Sequence, residues 1–178
     1  MPDAAPVDDV LQDVFVKAVA ARQTGLAATP IGKFPVALIS GSRRGLVQMK
    51  PVKLGEVAPL RLFVPSATNS LKPRIEAAIR SGDIAVERTI SIASLSAGLE
   101  FLSLTDWSGI LPFWICLKEL GNDRLTVSPI LDSRFDVELA LIHPAQRPLT
   151  RPSQQLYDYF RQELQRCADE WQRMMRQL

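Results

Sequence analysis

The sequence has little of what most catalytic and metal-binding sites require. Its 178 residues include a single histidine, His143, and two cysteines, Cys116 and Cys167, which lie far apart and have no histidine at metal-ligand spacing. We therefore expect two buried, reduced thiols, no metal and no cofactor. The nucleophile-elbow, zinc-protease and phosphate-loop motifs are absent, and no acid or nucleophile stands beside the histidine. We expect that the protein is not an enzyme.

The sequence also lacks long runs of like charge and long runs of apolar residues. The 21 basic and 19 acidic residues are interspersed, so the charge pattern marks no nucleic-acid surface. No segment approaches the roughly 20 apolar residues of a membrane span, and residues 1–9 lack the apolar core of a secretory signal. With 47% hydrophobic residues, the chain is predicted to be globular and cytoplasmic, with no membrane contact.

Apolar strands alternate with amphipathic helices through the middle of the chain. Strand patterns occupy Val36–Ser40, Leu60–Val64 and Ile84–Ile90, and helices are predicted near Pro73–Ser81 and Ser94–Leu104. This alternation is typical of a mostly parallel sheet in an α/β domain. We expect the three strands to share one sheet that is flanked by the two helices.

The outer parts of the chain are less regular. Val14–Ala20 is predicted to be a strand, and Arg22–Phe34 an irregular connection, because it contains Gly25, Pro30 and Gly32. Further strands are predicted at residues 125–127 and 137–142, and a final helix follows "RPLTRP".

The loop "PSATNS" joins a predicted strand to a predicted helix and offers Ser66, Thr68, Asn69 and Ser70. Either Asn69 or Ser70 is expected to cap this helix, and Ser94 is expected to cap the helix that follows a second loop of the same kind. In α/β sheets, ligands bind beyond the carboxyl ends of strands, where helix N-termini favour anions. Two interpretations remain open, a site for a small anion or two ordinary helix starts.

Four stretches of the chain, taken in order, resemble the motifs of one known family of regulators. In this order they resemble the effector-binding domain of LysR-type transcriptional regulators, over roughly Asp13 to Leu164: "GLAATPIGKFPVALISGS", "VKLGEVAPLRLFVPSATNSLKPRIEAAI", "ISIASLSAGLEFLSLTDWSGILP" and "LTVSPILDSRFDVELALIHPAQRPLTRPSQQLYDYFRQEL". The resemblance implies Rossmann-like subdomains, as in periplasmic binding proteins. Residues 30–130 would form a complete second subdomain, and residues 1–29 with 131–178 a partial first subdomain and a C-terminal helix.

The resemblance also implies a function. Family members hold a small metabolite, often a carboxylate or an aromatic acid, in the cleft between the subdomains. Thr68, Asn69 and Ser70 fall at effector-contact positions, Ser66 stands in the same loop, and Ser94 lies near the same cleft. We therefore expect a small organic anion as the effector. The alternative is a remnant that binds no ligand and serves as an oligomerisation or interaction module.

The matched stretches lack two parts of the family pattern. The winged helix is missing, so we expect no direct DNA binding by this chain. The first strands of the first subdomain are also missing, which leaves open a fragment or a subdomain that a partner completes.

The final helix carries an apolar stripe of about 23 residues from Leu156 to Leu178. At a rise of about 1.5 Å per residue the stripe spans roughly 33 Å, more than a subdomain of this size needs. We predict a homo-oligomer that is held together through Trp171, Met174 and Leu178. In the alternative interpretation, the helix packs wholly on its own sheet.

Overall fold

The chain forms two compact units, which are described separately. The computed structural model describes residues 25–65 and 71–177. Unit 1 comprises residues 1–34 and 138–168, and unit 2 comprises residues 35–137 and 169–178. The subdomain boundaries proposed from the sequence, after residues 29 and 130, stay a prediction. The predicted strand Val14–Ala20 lies outside the described residues.

The described residues contain seven strands and four α-helices. The strands are β1 (Leu26–Phe34), β2 (Val36–Gly41), β3 (Leu60–Pro65), β4 (Val86–Ile92), β5 (Ser108–Pro112), β6 (Leu125–Pro129) and β7 (Val137–Pro144), and the helices are α1 (Leu71–Ser81), α2 (Leu95–Leu104), α3 (Phe113–Glu119) and α4 (Arg151–Met175). None of these helices is long and apolar enough to cross a membrane.

Unit 2 is built on a five-stranded sheet with the order β4-β3-β5-β2-β6. β3 pairs in parallel with β4 and β5, whereas β2 pairs antiparallel with β5 and β6. β3, β4, β5 and β6 therefore run in one direction, and the predicted mostly parallel α/β sheet is confirmed. The three predicted strands share this sheet, although the third begins at Val86 rather than at Ile84.

The centre of the sheet is buried on both faces. Every residue of β2, β5 and β6 is buried, as the apolar run at Val36–Ile39 predicts for a strand that is covered on both sides. Helix α2 contacts β2, β3 and β4, and helix α3 contacts β2, β5 and β6. The largest fully buried side chains of this core include Leu38, Ile39, Leu62, Phe63, Ile110 and Phe113.

Three serine hydroxyls lie inside this apolar core. Ser40 of β2 and Ser108 of β5 are register partners, and their Oγ atoms are 2.7 Å apart. Ser128 of β6 is also buried, but its Oγ has no hydrogen-bond partner in the structure. Since a buried polar group stabilises a protein only when it is paired, the three hydroxyls contribute differently.

Helix α1 ends where the sequence predicts. Gly82 has a φ of +82°, the left-handed conformation of a residue that follows a helix, and its N–H donates to Ile79 O at 3.2 Å. Helix α3, in contrast, has no signal in the sequence pattern, because its seven residues follow β5 without an intervening turn.

Unit 1 contains a two-stranded sheet of β1 and β7. The prediction of an irregular connection over Arg22–Phe34 is wrong for Leu26–Phe34, which form β1. β1 has one partner strand among the described residues. A strand at a sheet edge tolerates Pro30, because proline has no N–H to donate and the free edge of the sheet requires no donor. His143 of β7 lies 3.2 Å from Thr29, measured from Nε2 to Oγ1.

The end of helix α4 packs within its own chain. Trp171 is only 4% exposed and contacts the ring of Phe113 edge-on, with the ring centroids 5.8 Å apart. The prediction that Trp171 meets a partner is therefore wrong, since its apolar surface is already covered in unit 2. Met174 is half-buried, and Leu178 lies outside the described residues.

Candidate functional site

The candidate site is the carboxyl edge of the unit 2 sheet. β3 and β4 run in parallel and end side by side, with Pro65 opposite Ile92 in the register. Each strand leads into a helix, β3 into α1 after residues 66–70 and β4 into α2 after two residues. Helix N-termini carry unpaired N–H groups and the positive end of the helix dipole, so this edge suits an anionic ligand.

Of the five predicted ligand residues, only Ser94 lies within the described part of the chain. Ser66, Thr68, Asn69 and Ser70 lie outside it, so their role stays a prediction. Helix α1 begins at Leu71, directly after this loop, as the sequence predicts.

Ser94 is the N-cap of helix α2. Its Oγ accepts a hydrogen bond from Ala97 N at 3.3 Å, and its backbone carbonyl accepts one from Gly98 N at 2.9 Å. The predicted cap is confirmed, and the residue is exposed. A hydroxyl that accepts a hydrogen bond still has its own proton to donate, so the capping role leaves a donor for a ligand.

Gly98 determines how closely helix α2 approaches the sheet. A Cβ atom at this position would lie 2.6 Å from Cζ of Phe63 in β3, closer than real contacts allow. The first turns of α2, and with them Ser94, are thus held against β3. Gly98 is not among the site residues predicted from the sequence. A glycine inside an otherwise helical pattern was the available signal.

Two clusters of ion pairs elsewhere in unit 2 are structural. Arg61 donates to Glu87 and Asp106, with nitrogen–oxygen distances of 3.1 Å in each pair. The hydrogen bond with Glu87 and the charge of Asp106 raise the pKa of Arg61, and the same hydrogen bond lowers the pKa of Glu87. Because carboxylates already neutralise this guanidinium, it is not available to a ligand.

The second cluster joins helix α1 to the segment between β6 and β7. Arg134 binds Asp132 at 2.7 Å and Asp83, just beyond α1, at 2.9 Å. Arg74 of α1 donates to the carbonyl oxygen of Asp136 at 2.6 Å. The hydrogen bonds that Arg134 donates to Asp132 and Asp83 raise its pKa. Helix α1, which follows the predicted ligand loop, is thus anchored near both of its ends.

The described residues offer no obvious nucleophile. Cys116 is buried on α3, and this burial raises the pKa of its thiol well above the usual range, so the thiol stays protonated. Nδ1 of His143 lies 3.1 Å from Pro144 O and its Nε2 lies near Thr29. No group of three or more His, Cys, Asp or Glu side chains in residues 25–65 and 71–177 could hold a metal ion.

The family described as LysR substrate binding domain matches residues 7–165. Among solved structures, the chain is similar to Corynebacterium glutamicum OxyR, a C206S mutant with bound H2O2, at a TM-score of 0.63 and 16% identity, covering 83% of this chain and 47% of that one. No curated protein matches significantly.

Two further similar structures contain small ligands. The effector-binding domain of QuiR in complex with shikimate has a TM-score of 0.60 and 14% identity, covering 88% of this chain and 77% of that one. The regulatory domain of Synechocystis PCC6803 CcmR in complex with 2-PG has a TM-score of 0.56 and 15% identity, covering 75% of this chain and 64% of that one. The chain spans about half the length of the first solved structures that it matches, 47%, 54% and 43%.

Proposed function

Because the chain belongs to the LysR substrate-binding domain family, we propose that it is the effector-sensing domain of a LysR-type transcriptional regulator and binds a small organic anion. The observation that carries the proposal is the carboxyl edge of unit 2, where β3 and β4 end in register before helices α1 and α2. The similar structures of QuiR with shikimate and CcmR with 2-PG support a small, acidic effector.

We propose that Ser66, Thr68, Asn69, Ser70 and Ser94 contact this anion. Their side chains are short and uncharged, so they recognise a carboxylate through O–H and N–H donors, and the helix dipole supplies the favourable potential. Ser94 is a suitable donor because its Oγ is exposed and accepts only the hydrogen bond from Ala97 N.

We further propose that the domain binds its effector without chemical change, acts in the cytoplasm and makes no direct contact with DNA. Chemistry would need a base beside a nucleophile. His143 instead faces Thr29 and the Pro144 carbonyl, and the thiol of Cys116 is buried. In this proposal the effector alters the domain's conformation only.

Thermal unfolding in a panel of small carboxylates, starting with shikimate, tests the effector proposal. A specific ligand stabilises the folded state by about 2.7 kcal/mol at a hundredfold excess over its Kd. The informative variant is Ser94→Gly, because glycine at an N-cap costs only a few tenths of a kcal/mol whereas the hydroxyl is lost. Ser96→Ala, on an exposed residue of the same helix, is the matched control.

We expect a saturable rise in Tm with at least one anion and none with its uncharged amide. Ser94→Gly should weaken this response, and Ser96→Ala should preserve it. If no anion in the panel changes Tm, or if the amide acts equally well, the proposed effector class is wrong.

One observation favours the second candidate function, an interaction module that forms homo-oligomers. Leu156, Tyr159 and Phe160 lie on one side of helix α4 and are 69%, 64% and 48% exposed. Burying a side chain of this size contributes about 1.5–3 kcal/mol. We propose that a second copy of the chain covers this surface, because this part of the apolar stripe is exposed whereas Trp171, nearer the helix end, is already buried.

Light scattering tests this second candidate. The wild-type chain should have at least a dimeric mass at micromolar concentration, and Leu156→Lys should shift it toward the monomer. Gln162→Lys adds the same charge at another exposed position of α4 and should leave the mass unchanged. A monomeric wild-type chain would exclude this role.

A further inference from the structure

We propose that unit 2 carries a second small-molecule site, distinct from the carboxyl edge of its sheet, for an organic carboxylate with an apolar body. The site is a cavity of about 550 Å³ that is lined by residues between Arg44 and Ala58, outside strand β6. This volume lies within the range of small-molecule sites, about 300–1,000 Å³. The inference does not depend on the proposed effector site.

The wall of the cavity is anchored to β6 by backbone hydrogen bonds. Met49 N donates to Val127 O at 2.7 Å, and Val52 N donates to Pro129 O at 2.8 Å. The side chain of Gln48 adds a third contact, since its Oε1 accepts from Val127 N at 2.6 Å. The segment is therefore held along the outer edge of β6 by these three contacts, and they fix the position of the cavity wall.

The turn that shapes this wall is locally strained. Met49 has a φ of +62°, and it is the one residue other than glycine with a positive φ among the described residues. This left-handed conformation is unfavourable for a residue that has a side chain. Such strain persists only where surrounding contacts hold it, and it is commonest at binding sites and switches.

The cavity contains positive charge that no carboxylate among the described residues neutralises. Lys50 has no ion pair or hydrogen bond from its side chain among the described residues, and Arg44 uses only Nη2, which donates to Ala58 O and Pro59 O at 2.7 and 2.8 Å. The single carboxylate of the lining, Glu56, is bound by Lys53 at 3.1 Å. Two cationic side chains thus remain, and they favour an anion.

The remaining lining is mostly apolar. Val47 is 60% exposed although it lines the cavity, and Leu46, Pro51, Val52 and Val57 complete the apolar wall. An inorganic anion would gain nothing from these side chains, whereas the hydrocarbon part of a carboxylate would cover them. The ligand class follows from the combination of an apolar wall and two cationic side chains, Arg44 and Lys50, that form no ion pair among the described residues.

An NMR titration of the full chain tests the inference, with benzoate as the probe, benzamide as its uncharged analogue and inorganic phosphate as an anion without an apolar body. Benzoate should cause saturable shifts in the amides of residues 45–53, whereas benzamide and phosphate should cause at most weak ones. Lys50→Met should weaken benzoate binding about fivefold, the change that corresponds to a surface charge interaction of about 1 kcal/mol. Lys50→Arg should restore it.

Lys118→Met removes another exposed lysine, from helix α3 and outside the cavity, and should not change binding. The amides of Ser94 and Ala97 report separately on the carboxyl edge, so failure at one site is distinguishable from failure at the other. The inference is overturned if residues 45–53 show no saturable shift with benzoate, if benzamide binds equally well, or if Lys50→Met has no more effect than Lys118→Met.

Discussion

The buried serines of unit 2 allow a sharp test of how polar groups contribute to this core. Ser40 and Ser108 share one hydrogen bond of 2.7 Å between their hydroxyls, and both side chains are fully buried. Ser108→Ala would leave the Ser40 hydroxyl buried without a partner, which costs about 1–3 kcal/mol. Ser40→Ala should cost a similar amount. The double variant removes both hydroxyls together, so it should cost at least about 1 kcal/mol less than the sum of the two single changes.

Ser128 supplies the matched control, because its hydroxyl is equally buried but unpaired. Ser128→Ala removes an uncompensated polar atom and should leave the free energy of unfolding unchanged or raise it. The assay is urea unfolding followed by tryptophan fluorescence. The chain's three tryptophans, at positions 107, 114 and 171, all belong to unit 2, so the signal reports the unit that contains the serines.

Two results would refute this reasoning. The first is a loss of stability in Ser128→Ala as large as that in Ser108→Ala. It would mean that the volume lost with the hydroxyl, and not the hydrogen bond, determines the change in stability. The second is a double variant whose loss equals the sum of its parts.

Three further predictions concern packing, pH and thiol chemistry. Gly98→Ala should destabilise unit 2 by about 1–3 kcal/mol in the same urea assay, because its Cβ would meet the ring of Phe63 at 2.6 Å. Burial alone would raise the pKa of Asp132, but the hydrogen bonds from Arg134 outweigh it and lower the pKa. At pH values above its ordinary pKa of about 3.9, the ionised carboxylate therefore stabilises the fold. This stabilisation should be lost as the pH falls through the lowered pKa. The loss of stability should be larger in the wild type than in Arg134→Gln. Cys116 should not react with a thiol reagent in the native protein, so a colorimetric titration should find at most one of the two thiols until urea is added.

Each of these predictions has its own control. Gly121→Ala should be almost neutral, since no atom lies within 4 Å of its added Cβ. For the pH series, parallel curves for wild type and Arg134→Gln below pH 4 would disprove the role of the ion pair. In the thiol titration, Cys167→Ser should abolish the rapid reaction, and two rapid thiols in the wild type would show that Cys116 is accessible.

The parts of the fold that were predictable from the sequence are those that depend on neighbouring residues. The apolar run of β2 predicts a strand covered on both faces, Ser94 predicts a helix cap, and Gly82 predicts a helix end. In each case the cause lies within a few residues of its effect. The family was inferred from four short motifs that stand in the family's order along the chain, because no single local pattern identifies it.

The features that were missed depend on partners far away in the chain. β1 looks irregular because of Pro30 and Gly32, and only its pairing with β7, more than 100 residues later, makes it a strand. The apolar stripe of α4 was predicted correctly as a pattern. The pattern does not reveal that Trp171 packs on Phe113 of its own chain. At the candidate site, the role of Gly98 depends on the ring of Phe63 across the sheet.

The contact between Trp171 and Phe113 has a consequence for how the protein is made. All five strands of the unit 2 sheet precede residue 130, yet the ring of Phe113 is covered by a tryptophan that the ribosome adds some 58 residues later. Domains generally fold as units during synthesis. Here the sheet can assemble early, but the ring of Phe113 lacks its contact with Trp171 until residue 171 has left the ribosome. During that interval the nascent chain exposes an aromatic surface, and a chaperone that recognises apolar segments would find it there.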